Sequence, residues 1–110
     1  GNSAVAKGCT ILGEVKNTVL SYGSSVAEGA QVSYSVVMPN AVIEAGARVS
    51  YAIVGEGCHV GKNAVVGGTP GSVDFDRWGI AVLGPHTAVP DGGVVEPKMM
   101  LGANGKEVRP

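Results

Sequence analysis

The sequence predicts an all-β chain wound as a three-sided parallel β-helix of about five coils, with one loop thrown out of the coil. Three observations carry this. A phrase recurs every seventeen residues: Val15-Lys16-Asn17-Thr18-Val19-Leu20, then Val32-Ser33-Tyr34-Ser35-Val36-Val37, then Val49-Ser50-Tyr51-Ala52-Ile53-Val54. Glycine and asparagine punctuate the chain every six residues or so, and glycine alone accounts for 18 of the 110 residues. Apolar residues make up 45% of the chain but aromatics only 5%, so the interior must be built from small aliphatic side chains.

Stacked at that period, the residues fall into columns. Val15, Val32, Val49 and Val66 share one, Leu20, Val37 and Val54 a second, and Val26, Ile43 and Val60 a third. Small residues follow four places behind: Ser24, Ala41 and Cys58 in one column, Ala30, Ala47 and Ala64 in another. Each period therefore splits into three sub-repeats of five or six residues. Just before the small residues stand Gly23, Asn40 and Gly57, and Gly29, Gly46 and Asn63. Glycine and asparagine enter left-handed backbone cheaply, so these positions are corners. The β-branched stretches between them favour strand. A helix needs apolar residues three and four apart over ten or more positions, a pattern that glycine and proline interrupt here. Three strands and three corners make a triangular coil, and equivalent strands stack in parallel about 4.8 Å apart. Aliphatic and small columns point inward; Glu28, Glu44, Arg48, Glu56 and Lys62 fall at outward places.

The repeat lapses over residues 67–79, which hold the only Phe and the only Trp. It resumes at Leu83, Val89, Val95 and Leu101, now at six, with Thr87, Gly93 and Met99 in the fifth places. A polar tail, 102–110, is expected as a loose end or a cap. The whole chain, 1–110, reads as one domain. It begins Gly1-Asn2-Ser3 with no methionine and the repeat already running, so it reads as a domain excised from a longer protein, with Gly1 left from a tag.

Composition narrows the function. A net charge of −1 without a basic cluster argues against a nucleic-acid partner or an anionic membrane. No apolar run approaches ~20 residues, and no signal peptide is visible, so no membrane partner is expected. Two cysteines without metal-type spacing point to reduced thiols and a cytoplasmic location.

Few residues invite chemistry. His59 shares an outward column with Ser25 and Val42; His86 occupies a corner before Thr87. Two histidines fall short of the three ligands that catalytic zinc wants. Cys9 is expected below Val26, Ile43 and Val60, three coils or about 14 Å from Cys58, too far for a disulfide. Both read as core thiols. In the loop, Asp74 and Asp76 lack a third ligand, while Phe75 and Trp78 are expected to pin the loop onto a prism face. Phe75, Arg77 and Trp78 are the candidate docking residues for a partner domain, since aromatics and arginine anchor interfaces. Gly67-Gly68-Thr69 lacks the strand–loop–helix frame of a phosphate loop. No catalytic, cofactor-binding or metal-binding residue is assigned.

The run V-A-K-G-C-T-I-L-G-E-V-K-N-T-V-L-S-Y-G-S-S-V, residues 5–26, resembles the opening of the C-terminal β-helix domain of bacterial ADP-glucose pyrophosphorylases (glucose-1-phosphate adenylyltransferases). V-S-Y-S-V-V-M-P-N-A-V-I, residues 32–43, and G-I-A-V-L-G-P-H-T-A-V-P-D-G-G-V-V, residues 79–95, continue the likeness over almost the whole chain. In that hexapeptide-repeat fold the coil winds left-handed, against the usual crossover rule. The resemblance implies a parent enzyme that joins ATP and glucose 1-phosphate into ADP-glucose and pyrophosphate, in glycogen biosynthesis. It implies ATP and Mg for the parent and no cofactor for this chain. The expected partners are a missing N-terminal catalytic domain and further subunits, in a homo- or hetero-oligomer. Two departures stand out: Pro85-His86 replaces a Lys-Gly pair, and no nucleotide loop of the type G-G-x-G-[ST]-[RK]-L is present. The alternatives are the same domain of another sugar-nucleotide pyrophosphorylase, a catalytically dead regulatory subunit, or a trimeric acyltransferase using His59 or His86 as base.

Overall fold

Short β-branched stretches separated by tight corners can bury their side chains only by stacking on one another, and they do. The computed structural model describes residues 3–68 and 79–102. The first coil is β1 (Ala4–Val5), β2 (Thr10–Ile11) and β3 (Glu14–Lys16); the second β4 (Val19–Leu20), β5 (Ser25–Val26) and β6 (Gln31–Ser33). The third is β7 (Val36–Val37), β8 (Val42–Ile43) and β9 (Arg48–Ser50); the fourth β10 (Ala52–Val54), β11 (His59–Val60) and β12 (Val65–Gly67). The fifth is β13 (Ala81–Leu83), β14 (Ala88–Val89) and β15 (Val94–Val95), and β16 (Met100–Leu101) opens another turn. The strands form three parallel walls: β1-β4-β7-β10-β13-β16, β2-β5-β8-β11-β14 and β3-β6-β9-β12-β15. No helix occurs among the described residues.

The columns read from the sequence are the core. Val15 pairs with Val32, Val32 with Val49, Val49 with Val66, and Val66 with Val95. Leu20, Val37, Val54 and Leu83 pair in the same way on the first wall. From the second coil to the fifth these inward aliphatics are buried, as are Ala30, Ala41, Ala47, Cys58 and Ala64 beside the corners. Left-handed backbone falls where glycine and asparagine predict it, at Gly23, Asn40 and Gly57 and at Gly29, Gly46 and Asn63; His86 joins the first set with a φ of 58°.

The third corner lies where the repeat places Tyr34 and Tyr51 above one another, at a corner or outer edge. It turns at Asn17, Tyr34 and Tyr51, with φ values of 49°, 50° and 50°. Bulky residues avoid that conformation, so something must hold it. Two arrangements do. Thr18 Oγ1 donates to Lys16 O at 2.9 Å and accepts the Ser35 amide at 3.3 Å. Ser35 Oγ donates to Ser33 O at 2.8 Å and accepts the Ala52 amide at 3.2 Å. Each hydroxyl thus closes its own corner and ties it to the next coil. Outside, the Tyr34 and Tyr51 rings stack with centroids 5.1 Å apart and planes 4° from parallel. Thr18, Ser35, Ala52 and Ala81 form the small column inside this corner, all buried.

One expected placement is corrected. Cys9 does not lie below Val26, because Ile11 does. The corner after Ile11 reaches Val15 in four residues, where its counterpart from Val26 to Val32 takes six. The seventeen-residue period therefore fails for the earlier part of the first coil. Cys9 lands in the small column instead, with Sγ 3.3 Å from Ser24 Oγ and donating to Ser21 O at 3.1 Å. It remains three coils from Cys58, about 14 Å, and both thiols are free. Gly13 makes the shortened corner possible. A Cβ there would lie 2.5 Å from Ala27 O and 2.6 Å from Ala30 O. Gly13→Ala is therefore expected to cost about 1–3 kcal/mol through overpacking against backbone. Chemical denaturation checks it, and an unchanged midpoint would mean that the first coil does not press on the second at this corner.

Candidate functional site

Strand alternation sends His59 outward and the structure agrees, with its side chain 53% exposed. Its Nε2 lies 3.6 Å from Glu44 Oε2 on the neighbouring coil. Such an exposed pair is weakly coupled in water. His86 does architectural work. Its ring lies against the α-carbon of Gly57, where any Cβ would strike it. The two histidines belong to different elements, β11 and the corner before β14. Among the described residues no group of three or more His, Cys, Asp or Glu could hold a metal ion.

The thiols are tied down. Cys58 Sγ donates to Gly84 O at 3.0 Å, and burial pushes the Cys58 thiol above its ordinary value. The sign follows by linkage. The unfolded chain loses this proton first as pH rises, so the stability held by the neutral thiol is complete below about pH 8.5 and declines above it. Cys58 is expected to resist a thiol reagent until the chain unfolds, with Cys9, half-buried near the open end, reacting sooner. Fast labelling of both cysteines in the folded chain would contradict their placement.

The candidate docking residues Phe75, Arg77 and Trp78 lie outside the described residues, as do Asp74 and Asp76. β12 ends at Gly67, and the described residues on either side of 69–78 are Gly68 and Gly79.

Two surfaces remain that a solitary prism does not need. The outward residues of the first wall are Ala4, Val19, Val36, Ile53, Val82 and Met100, aligned in one stripe. All are apolar, and Val19 is 47%, Ile53 39% and Met100 39% exposed. The other walls are mixed: the second turns out Thr10, Ser25, Val42, His59 and Ala88, and the third Glu14, Gln31, Arg48, Val65 and Val94. Beside the stripe, at the tyrosine corner, lies an open groove of about 400 Å³ lined by Val19, Tyr34, Val36, Ile53 and Ile80. Among the described residues no carboxylate, histidine or thiol lines it, so those residues can seat an apolar group but not activate one. Sequence reasoning missed this face. The signal was present, since each strand of this wall is apolar at consecutive positions, the mark of a sheet covered on both sides.

The second surface is the open end of the prism. Val5 and Ile11 occupy inward places but are 50% and 36% exposed, against 1% for Leu20 and Val26 directly beneath. The amides of Ala4, Ala6, Thr10 and Leu12 bond to carbonyls of the second coil. In a parallel ladder alternate amides face opposite neighbours, so those of Val5 and Ile11 face the open end. No helix among the described residues is long and apolar enough to cross a membrane.

A three-walled coil of stacked hexads, apolar on one outer wall and at one end, and without converging reactive groups among the described residues, is a hexapeptide-repeat parallel β-solenoid. The chain belongs to the family described as GlmU-like, C-terminal hexapeptide, whose model matches residues 1–84. Among curated proteins it is similar to the glucose-1-phosphate adenylyltransferase of Desulfitobacterium hafniense, 36% identical over 98 residues, or 86% of this chain and 23% of that protein. The enzyme of the same name from Acetivibrio thermocellus is 41% identical over 82% of this chain and 22% of its own length. That from Bacillus thuringiensis is 47% identical over 94% of this chain and 21% of its own. The chain thus spans about a fifth to a quarter of these relatives. A hexapeptide transferase family protein from Anaplasma phagocytophilum aligns over 97% of this chain and 78% of its own, at 17% identity and a TM-score of 0.33, too loose a superposition to bear on function.

Proposed function

We propose that this chain is the C-terminal structural, regulatory and assembly domain of a glucose-1-phosphate adenylyltransferase. In this reading the parent transfers an adenylyl group from ATP to glucose 1-phosphate and releases pyrophosphate, with ATP and Mg bound by an N-terminal domain. The chain catalyses nothing alone. Its work is to pack against that domain, contact other subunits and flank an effector site, in the cytoplasm. The observation that carries this is the uncovered first coil, whose inward Val5 and Ile11 are exposed. An open strand edge over exposed core invites a covering partner. The alignment with about a quarter or less of each relative supports the same division of labour.

The test is a chimera in which this chain replaces the corresponding segment of the Acetivibrio thermocellus relative. Pyrophosphate release from ATP and glucose 1-phosphate is expected in the chimera and not in the chain alone. A chimera that is folded but inactive and unassembled would overturn the reading. The Glu44–His59 contact favours one rival, an acyltransferase with His59 as base. Calorimetry with acetyl-CoA separates them, since binding by the isolated chain fits only the rival.

A further inference from the structure

We propose that the apolar first wall is an interface with a second copy of this chain, related by a two-fold axis running parallel to the coil axis. Two features of the wall complement each other. On one flank is the groove between Tyr34, Val36 and Ile53, centred on the third coil. On the other flank stands a single bulky protrusion, Met38, 38% exposed and also on the third coil. The equivalent places on the other coils are Ala6, Ser21, Gly55 and Gly84, none of which projects as far. A two-fold axis along the stripe brings opposite flanks together at the same level. Each Met38 then enters the other copy's groove, while Val36 meets Val36 and Ile53 meets Ile53. An isologous interface requires this self-complementarity, and methionine is the side chain that best fills an irregular apolar gap.

The area sets the strength. Six strands span about 24 Å, and a face of one strand with its corners is about 20 Å wide, giving on the order of 500 Å² per copy and about 1,000 Å² in all. That is the lower edge of specific interfaces, so the dimer is weak and concentration-dependent in this chain. The proposal rests on the assembly reading above and names its face and partner.

Sedimentation equilibrium over a range of concentrations tests it. The chain is expected to dimerise reversibly, with Met38→Lys and Ile53→Lys each weakening the dimer at least tenfold. Val94→Lys, at a residue 63% exposed on the third wall, is expected to leave it unchanged. Under mild oxidation Val36→Cys is expected to form a disulfide-linked dimer with itself, with the unaltered chain as blank. A chain that stays monomeric throughout overturns the proposal. So does a dimer indifferent to both lysine substitutions, as one stacked through the coil ends would be. That last result removes this face and leaves the assembly reading standing, whereas a folded but unassembled chimera removes the reading itself.

Discussion

Ile43→Ala is expected to destabilise the chain by about 2–5 kcal/mol, the range for emptying a buried aliphatic site. Ile43 is fully buried at the third coil, paired above and below with Val26 and Val60. The usual relief for such a cavity is local collapse. Here it is blocked, because each wall is held at strand spacing by its ladder of hydrogen bonds and the neighbours are short valines. The cost should therefore sit toward the upper part of that range, lowering the midpoint by roughly 10–30 °C for a domain of this size. Thermal or urea denaturation followed by circular dichroism measures it. A loss below about 1 kcal/mol would show that the column is looser than its register implies.

Ala47→Leu tests the same interior from the opposite side. Ala47 is fully buried one residue behind a left-handed corner at Gly46. Its amide bonds to Glu44 O at 3.3 Å and its carbonyl accepts the Gln31 amide at 2.9 Å, so the backbone is fixed on both sides. Three added carbons have nowhere to go except into Ala30 and Ala64, which occupy the same place on adjacent coils. Overpacking of this kind costs about 1–3 kcal/mol. An unchanged denaturation midpoint would sink the assignment of Ala30, Ala47 and Ala64 to one inward column. Together the two substitutions bracket the site: the prism tolerates neither less volume at 43 nor more at 47.

The walls were legible because the seventeen-residue period is constant from Val15 to Val66, so the period of the sequence is also the hydrogen-bonded register. Two local departures were not legible from spacing. The corner after Ile11 is short, and a fixed period therefore misplaced Cys9. The corner at Tyr34 and Tyr51 places tyrosine in left-handed backbone, against its preference, and only the hydroxyls of Thr18 and Ser35 and the ring stack show why it holds. The apolar outer wall was written plainly in Val19-Leu20, Val36-Val37, Ile53-Val54 and Val82-Leu83. Strand alternation lets only one member of each pair point inward, so Val19, Val36, Ile53 and Val82 face out. The histidines were placed correctly, His59 outward and His86 at a corner. Phe75, Arg77 and Trp78 stand outside the described residues, so the docking role expected of them is carried forward untouched.

Function was less legible than fold for a physical reason. Repeats specify where backbone turns and what fills the inside, and those demands consume most of the sequence. What is left over is surface, and among the described residues the informative surface is an apolar wall and an exposed first coil rather than a cluster of reactive groups.

Amide hydrogen exchange, followed on the free chain and on the chimera with a catalytic portion, tests the architectural reading most directly. In the free chain the Val5 and Ile11 amides are expected to exchange orders of magnitude faster than those of Ile43 and Val60. In the chimera they are expected to slow markedly as the first coil is covered. First-coil amides already as protected as the middle coil in the free chain, or unchanged in the chimera, would contradict the claim that this prism is built to be capped.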